Sequence, residues 1–203
     1  MNVRRHRTLS KGVVRGPLLI VLSGPSGTGK TTLARRLCRQ NANVVQSVSV
    51  TTRAPKKGER NGRDYCFVSV EEFRRLKKKK ALLESARVFR QYYGTPGDQI
   101  LKHHRNGKDV LVAIDVQGAA QIRRRCPESI HVFLAPPSVS VLRERLARRS
   151  RDTADEMSLR LEVAKEELSR MAEYDYVVVN DQLSVAVAKL RSIVIAERCR
   201  VKG

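Results

Sequence analysis

Residues 18–37 read LLIVLSGPSGTGKTTLARRL. The first five residues are apolar, and a run of this length suits a parallel strand that is buried on both faces. Two glycines five residues apart, Gly24 and Gly29, are followed directly by Lys30 and Thr31, which is the spacing of a loop that holds phosphate groups. A helix is expected from about Thr31 onward. A strand, a glycine-rich loop and a helix in this order predict that the chain binds a nucleotide.

The chemistry of phosphate binding accounts for the residue types in this loop. Glycine lets backbone N–H groups turn toward phosphate oxygens at close range. Lys30 supplies a positive charge for the β- and γ-phosphates, and the Thr31 hydroxyl is placed to bind the Mg²⁺ of a nucleoside triphosphate; no other cofactor is expected. The candidate nucleotide-binding residues here are Gly24, Pro25, Ser26, Gly27, Thr28, Gly29, Lys30, Thr31 and Thr32.

Composition excludes several classes of protein. No apolar run in the 203 residues approaches the roughly 20 that a bilayer crossing needs, so we expect a cytoplasmic protein without a membrane partner. The four cysteines include no C-x-x-C pair, which disfavours a zinc ribbon or a thioredoxin-like site. The net charge of +21 attracts polyanions of any kind. Nucleic acid is still a disfavoured partner, because the few aromatic residues form no interleaved stacking platform.

Strand and helix patterns alternate along most of the chain. Apolar runs of strand length occur at 18–22, 109–115, 130–135 and 176–180, and helical patterns occur at 117–125, 139–149 and 183–199. Alternation of this kind predicts an α/β fold, with a parallel sheet flanked by helices.

Two segments interrupt the alternation. Residues 49–97 contain strand-like pieces at 65–68 and 82–89 around a short helix, whose start is predicted by the capping-box pattern from Ser69 to Glu72. Residues 143–160 are rich in arginine, and a second helix begins near Thr153. In that helix an apolar stripe falls at helical spacing and is expected in the core: Met157, Leu161, Ala164, Leu168 and Met171.

These patterns predict one domain with a basic arm. Residues 1–16 carry five Lys or Arg and no acid, so they are expected to form a flexible arm. Without a clear amphipathic repeat, the arm does not favour an organelle transit peptide. Residues 17–203 are expected to form a single domain, whose core combines 17–48, 98–142 and 161–203.

The phosphate loop alone is compatible with an ATPase, a GTPase or a kinase. The Asn-Lys-x-Asp box that a GTPase usually shows is absent from the sequence. A motor or a helicase would need further motifs and a longer chain. A small phosphotransferase remains, and its acceptor pocket must be encoded elsewhere.

Three further segments resemble the guanylate kinase family, whose members transfer a phosphoryl group from ATP to GMP. They are SVSVTTRAPKKGERNGRDYCFVSVEEF at 47–73, LLESARVFRQYYGTP at 82–96 and VLVAIDVQGA at 110–119. Together with a terminal V-N-D they supply the S-x-T-T-R, G-E-x-x-G-x-D-Y, Y-Y-G-T and D-x-Q-G motifs. The resemblance spans about 18–198. It implies a P-loop kinase fold with a small GMP-binding insertion at 49–97 and a helical lid at 143–160.

The chemistry of GMP explains the acceptor motifs. Its phosphate would be matched by two cations and two phenol hydroxyls: Arg53, Lys56, Tyr65 and Tyr93. A carboxylate can accept from both N1–H and N2–H of guanine, whereas adenine presents the wrong pattern at that edge. Glu84 is the candidate for this role, with Asp115 as a second acceptor. The hydroxyls of Ser49 and Thr95 are expected near O6, and dGMP remains open as an alternative acceptor.

The resemblance also implies the catalytic residues. Mobile arginines that close over the phosphates are expected in phosphoryl transfer. The catalytic candidates are Lys30, Arg53, Arg145, Arg148 and Arg160, and Asn180 matches the family's loop near the adenine of ATP. Lys56 stands where the family usually has Arg, and its ammonium group lacks the planar, bidentate hydrogen-bonding geometry of a guanidinium. Ala113 stands where the family commonly has an acid.

Two other interpretations belong to different classes of protein. Guanylate-kinase-like modules also serve as protein-binding scaffolds without catalysis, but the intact phosphate loop disfavours this for the present chain. The charge of +21 could support nucleic-acid binding beside catalysis, and such binding would weaken steeply with salt. The sequence indicates no oligomeric state.

Overall fold

A computed structural model describes residues 16–88, 90–148 and 153–201 of the chain. The strands are β1 (Leu19–Ser23), β2 (Val44–Gln46), β3 (Val50–Thr51), β4 (Cys66–Phe67), β5 (Leu82–Val88), β6 (Gln91–Pro96), β7 (Asp109–Ala113), β8 (Ile130–Ala135) and β9 (Tyr176–Val179). The helices are α1 (Lys30–Gln40), α2 (Val70–Lys78), α3 (Gly97–Arg105), α4 (Val116–Arg125), α5 (Val139–Ala147), α6 (Ala154–Ser169) and α7 (Leu183–Cys199). A 3-10 turn, Arg170–Glu173, follows α6.

The larger sheet has five parallel strands in the order β2-β7-β1-β8-β9. The central strand β1 is buried along its whole length, as its apolar run predicts. Ile20 and Leu22 face a cluster with residues of α1 and α7, whereas Leu19 and Val21 face a cluster with residues of α3 and α4. Helices therefore cover both faces of the sheet, and the predicted α/β fold is confirmed.

The smaller sheet has four strands in the order β4-β3-β6-β5, and β6 is antiparallel to both of its neighbours. Its own small core contains Val50, Phe73 and Leu82, and the rings of Phe73 and Tyr92 stack with centroids 5.4 Å apart. Helix α2 packs over this sheet. The Ser69 side chain caps α2 by accepting from the N–H of Glu72 at 3.1 Å, so the predicted helix start is confirmed.

Several elements were not predicted from the sequence, and each has a local reason. Strands β2 and β3 contain three and two residues, which is too short for a recognisable pattern. Strand β6 reads QYYGTP and contains no apolar alternation. Strand β7 ends two residues before the predicted end, because Asp115 caps α4 by accepting from the N–H of Gly118.

A buried carboxylate fastens the start of β7 to two neighbouring elements. Asp109 accepts from the Leu18 N–H at 2.6 Å and from Nε of Arg198 at 2.8 Å. The first contact joins β7 to β1, and the second joins it to α7. Because β1 and β7 are parallel, their carboxyl ends meet at the opposite edge of the sheet, which is where open parallel sheets bind ligands.

Parts of the predicted organisation lie outside the described residues. They are residues 1–15 of the basic arm, Phe89 in the insertion, residues 149–152 of the arginine-rich segment and the last two residues. Among the helices that are described, none has both the length and the apolar character of a bilayer crossing.

Candidate active site

The glycine-rich loop joins the end of β1 to the start of α1. Lys30, the first residue of α1, turns back over the loop and donates from Nζ to the carbonyl oxygens of Gly24 at 2.5 Å and Pro25 at 2.9 Å. The loop is closed further by Thr28, whose hydroxyl donates to the Pro25 carbonyl at 2.9 Å. The positive end of α1 thus points at the space that the loop surrounds.

Two of the loop glycines are required by close approach as well as by backbone conformation. Gly24 has φ of 138°, and a Cβ atom there would lie 2.4 Å from the carbonyl oxygen of Leu134 in β8. Gly29 has φ of 96°, and a Cβ atom there would lie 2.7 Å from Nδ2 of Asn180. Larger residues at either position would push the loop away from its neighbours.

Asn180 is placed behind the loop. Its side chain is buried, and Nδ2 donates to the carbonyl oxygen of Thr28 at 2.7 Å. Its own backbone N–H donates to Ala135 at the end of β8. The side-chain amide, which the family resemblance places near adenine, is therefore bound to the loop backbone.

A cleft of about 390 Å³ lies between the loop, the smaller sheet and α6. Ten of the sequence-predicted site residues line it: Gly24, Ser26, Lys30, Thr31, Ser49, Tyr65, Glu84, Tyr93, Asp115 and Arg160. Donor-side and acceptor-side residues thus share one space, although they come from segments that are far apart in the sequence.

Glu84 is the most deeply buried acid of the cleft, with 2% of its surface exposed. Its Oε1 accepts from the hydroxyl of Thr95 at 2.7 Å. A Cβ atom on Gly118 would lie 2.5 Å from Oε2, so the glycine leaves room for the carboxylate. Burial raises the pKa of the Glu84 carboxyl to about 7, and the nearby charge of Asp115 adds to this effect, while the Thr95 hydrogen bond opposes it.

Asp115 follows β7 as the N-cap residue of α4, and it lines the cleft. Its Oδ1 caps α4 by accepting from the Gly118 N–H at 2.7 Å. Burial raises the pKa of this carboxyl, whereas the backbone hydrogen bond and the charge of Lys30 oppose the shift. The carboxylate is therefore held in place with one oxygen already engaged.

Of the predicted acceptor-phosphate residues, Tyr65 and Tyr93 line the cleft, whereas Arg53 and Lys56 do not. The rings of Tyr65 and Tyr93 are 6.0 Å apart, nearly edge to face. The guanidinium of Arg53 lies 5.3 Å from the Tyr65 ring, but its Nη2 donates to both oxygens of Glu59 at 2.9 Å. The Lys56 side chain is exposed, and its backbone N–H donates to the same carboxylate at 2.8 Å.

The three predicted lid arginines occupy different places. Arg160 in α6 lines the cleft. Arg145 in α5 donates from Nη2 to the carbonyl oxygen of Asn180 at 2.9 Å, and Arg148 is exposed at the end of α5. The other predicted residues of the phosphate loop do not line the cleft: Pro25, Gly27, Thr28, Gly29 and Thr32.

Sequence reasoning missed two acids in this region. Glu59 belongs to the G-E-x-x-G-x-D-Y motif and holds Arg53, yet it was given no role. Glu167 in α6 lines the same cleft as Ser26 and Lys30. The sequence feature that could have identified Glu167 is its helical spacing from Arg160 and Val163, which places all three residues on one face of α6.

Comparisons with known proteins agree with this geometry. A profile of the guanylate kinase family matches residues 17–197. The guanylate kinase of Caldanaerobacter subterraneus subsp. tengcongensis is 45% identical over 91% of this chain and 89% of its own length. That of Bacillus anthracis is 47% identical over 92% and 91%. The crystal structure of guanylate kinase from Anaplasma phagocytophilum is similar with a TM-score of 0.78 at 34% identity, over 93% of this chain and 89% of that one. This chain therefore belongs to the guanylate kinase family, the ATP-dependent kinases that phosphorylate GMP to GDP, as its motifs predict.

Proposed function

We propose that this protein transfers the γ-phosphoryl group of ATP, held by the loop 24–32, to GMP held in the cleft, giving ADP and GDP. The observation that carries the proposal is the position of Glu84. Its buried carboxylate lines the same cleft as Lys30 of the phosphate loop. The candidate residue for binding the acceptor base and the candidate residue for binding the donor phosphates thus line one cleft.

The donor half uses the loop and the start of α1. Backbone N–H groups and Lys30 bind the β- and γ-phosphates. The described residues contain no cluster of three or more His, Cys, Asp or Glu that could hold a metal. Mg²⁺ keeps several waters and takes phosphate oxygens with few protein ligands, and Thr31 at the start of α1 lines the cleft. Thr31 would hold the ion, which neutralises phosphate charge when it is bound.

The acceptor half distinguishes guanine from adenine. Glu84 shares one oxygen with Thr95 and retains lone pairs for N1–H and N2–H of guanine. Adenine lacks these two adjacent donors and would leave the carboxylate unpaired, which is costly in a buried site. Asp115 and Ser49 complete the polar surroundings of the base.

We place the phosphate of GMP beside Tyr65 and Tyr93, which line the cleft. Arg53, whose guanidinium lies 5.3 Å from the Tyr65 ring, and Lys56 would have to turn toward this phosphate. An oxygen of that phosphate attacks the γ-phosphorus in line, and the bond to the bridging oxygen of ADP breaks. No covalent enzyme intermediate forms. Lys30 and Arg160 stabilise the charge that develops during transfer.

Closure brings in the remaining arginines. Arg145 and Arg148 do not line the cleft in this conformation. We assign the insertion at 49–97 and the lid at 143–160 as units that move against the core. Closure would exclude water and so limit hydrolysis of ATP.

The test is the release of ADP from Mg·ATP with GMP, dGMP, AMP, CMP or UMP as the acceptor. We expect turnover with the guanine nucleotides only. In Glu84→Ala the turnover with GMP should fall by at least about a hundredfold, because a buried carboxylate that hydrogen-bonds to the base discriminates strongly. The matched control is Glu128→Ala, at an exposed acid outside the cleft. Turnover with every nucleotide, or equal activity of the two variants, would overturn the assignment.

A further inference from the structure

The backbone of β5 is held by a side chain of α4. The amide of Gln121 pairs with both backbone polar groups of Ser85, which lies 36 positions earlier in the chain. Its Oε1 accepts from the Ser85 N–H at 3.1 Å, and its Nε2 donates to the Ser85 carbonyl oxygen at 2.8 Å. A neighbouring antiparallel strand exchanges the same two hydrogen bonds with a paired residue. Gln121 therefore acts on β5 as a strand partner would.

Strand β5 is the last strand in the order of the smaller sheet, so β6 satisfies only one of its edges. An edge strand leaves backbone N–H and carbonyl groups without a strand partner. Arg125, one turn after Gln121 in α4, donates from Nη1 to the carbonyl oxygens of Leu82, at 3.2 Å, and Leu83. Two side chains of one helix thus bind the backbone of β5 at three of its residues.

The pairing of β5 with β6 is irregular directly before Glu84. The register shifts between Leu82 and Glu84, which is the pattern of a β-bulge. A bulge interrupts the hydrogen-bond ladder and changes the direction of nearby side chains. Pairing with β6 is consequently a weaker constraint on Glu84 at this point, and the hydrogen bonds from α4 lie on both sides of the irregularity.

The same face of α4 meets the Glu84 carboxylate. Gly118, Gln121 and Arg125 are spaced by three and four residues, which places them on one face of the helix. A Cβ atom on Gly118 would lie 2.5 Å from Oε2 of Glu84, so the carboxylate lies against this face. The next residue, Ser85, is bound by Gln121 one turn further along. The acid and the backbone that carries it therefore share one support.

Helix α4 is a firm support because its other face is buried in the core. Ala119 and Ile122 have no exposed surface and belong to the cluster that includes Leu19 and Val21 of β1. Leu83 of β5 packs against the same cluster. The helix that holds the Glu84 strand is thus packed directly on the central sheet.

The orientation of the Gln121 amide is set by its partners. Nε2 also donates to the carbonyl oxygen of Gln117 in α4, at 3.4 Å. Exchanging the oxygen and nitrogen of the amide would bring two donors together at the Ser85 N–H and two acceptors together at its carbonyl. One orientation of the side chain therefore satisfies all three contacts.

We propose that Gln121 is a positioning residue for the recognition of guanine: its two hydrogen bonds to the Ser85 backbone hold β5 on α4 and thereby fix the carboxylate of Glu84 in the cleft. Glu84 lines the cleft and Gln121 does not, so Gln121 acts through the acid and not on the nucleotide. The effect on GMP rests on the proposed function, whereas the attachment of β5 to α4 does not.

The activity test compares Gln121→Leu with Arg124→Leu. Leu is similar to Gln in size and helix propensity but forms neither hydrogen bond to Ser85. Arg124 is exposed on α4, and its Nε donates to the carbonyl oxygen of Ala120 in the same helix. We expect Gln121→Leu to raise KM for GMP about three- to tenfold, as loss of ordinary hydrogen bonds would. Its kcat and its KM for ATP should change less than about twofold, and Arg124→Leu should match the wild type.

Two outcomes of this comparison would overturn the proposal. One is an unchanged KM for GMP in Gln121→Leu. The other is a rise in KM for ATP as large as the rise for GMP, which would mean that the substitution disturbs the whole cleft and not the acceptor base alone.

A double-mutant cycle tests whether Gln121 acts through Glu84. Once the carboxylate is removed, Gln121 has nothing left to position. Adding Gln121→Leu to Glu84→Ala should therefore lower kcat/KM for GMP by less than about twofold further. Fully additive losses would show that Gln121 acts by another route and would overturn the proposal.

Hydrogen exchange of the ligand-free protein, resolved by residue, tests the attachment of β5 without any assay of activity. The Ser85 amide should exchange faster in Gln121→Leu than in the wild type, and the amides of β8 should not change. Equal exchange of the Ser85 amide in the two proteins would overturn the attachment. Should the wild type fail to phosphorylate GMP, the proposed function fails while this measurement still decides whether Gln121 holds β5.

Discussion

The side-chain amide of Asn180 donates a 2.7 Å hydrogen bond to the carbonyl oxygen of Thr28, which lies 152 positions earlier in the chain. The contact is buried and joins the segment after β9 to the phosphate loop. Arg145 in turn donates to the Asn180 backbone carbonyl. The loop is therefore shaped by residues outside its own motif as well as by its glycines.

Replacing Asn180 by Ala should weaken both the fold and the donor site. The Thr28 carbonyl would lose its buried partner, which costs about 1–3 kcal/mol. We expect a lower free energy of unfolding in urea and a higher KM for ATP, with a smaller change in KM for GMP. Gln182→Ala is the control, since that side chain makes no capping hydrogen bond to α7. Equal stability of the two variants would contradict the role of Asn180 as a support for the loop.

Replacing Gly29 by Ala tests the close approach itself. The new methyl would meet Nδ2 of Asn180 at 2.7 Å, and the residue would also keep a positive φ. Gly107→Ala is a matched control, because Gly107 has φ of 69° but nothing within 4 Å of its Cβ position. We expect both variants to lose stability from backbone strain of about 1–2 kcal/mol. Only Gly29→Ala should also lose ATP binding, measured by calorimetry.

The parts of the site that the sequence predicts are those with local signals. Gly24, Gly29 and Lys30 lie close together in the sequence, so their spacing can be recognised locally. The structure places these residues around one loop. The apolar stripe of α6 is local too, and Ala164 and Leu161 pack in the core as predicted. Helical periodicity shows which face of α6 is apolar, but it does not show what the opposite face meets.

Contacts between distant segments could not be predicted in this way. Nothing near Asn180 indicates that its amide points at Thr28, and nothing near Arg145 indicates that its guanidinium donates to the Asn180 carbonyl. The pairing of Arg53 with Glu59 lies within one segment, residues 47–73, but a sequence does not show which partner a guanidinium takes before a phosphate is bound. The strands β3 and β6 were missed because pairing with each other, and not a local pattern, makes them strands.

The buried carboxylate of Glu84 should make stability depend on pH. Its pKa is about 7 in the folded protein and 4.5 in the unfolded chain, so between these values the folded state binds more protons. Stability therefore falls as pH rises from about 5 to 8, by up to about 3 kcal/mol for a shift of this size.

Glu84→Gln should remove this contribution. We expect the variant to unfold at a higher temperature than the wild type at pH 8, with the difference shrinking toward pH 5. Glu128→Gln, at an exposed acid, should keep the wild-type pH dependence. Parallel stability curves for the wild type and Glu84→Gln would contradict the shifted pKa.

The same carboxylate should set the pH dependence of acceptor binding. Only the ionised form of Glu84 accepts from both guanine donors, so KM for GMP should rise as pH falls below about 7. The phosphate of GMP also titrates, near pH 6. Glu84→Gln separates the two effects, since its remaining pH dependence reports the phosphate alone. A profile that is identical in the wild type and in the variant would exclude Glu84 as the group responsible.

The ion pair between Arg35 of α1 and Asp64 links the donor helix to the turn that carries Tyr65. Asp64 is also held by the Arg60 N–H at 2.8 Å and by Arg63. Since the Arg35 side chain is 47% exposed, the pair should add little to global stability. Its effect should appear in the position of the acceptor residues.

Arg35→Ala should therefore raise KM for GMP about two- to fivefold and leave KM for ATP and kcat near the wild-type values, because a surface pair of this kind contributes less than about 1 kcal/mol. Arg36→Ala removes a neighbouring exposed charge of α1 and is the matched control. The difference between the two variants should shrink in high salt, which screens exposed charges. A salt-independent difference would mean that Arg35 acts by packing, and equal KM values for GMP would mean that the pair does not position the acceptor site.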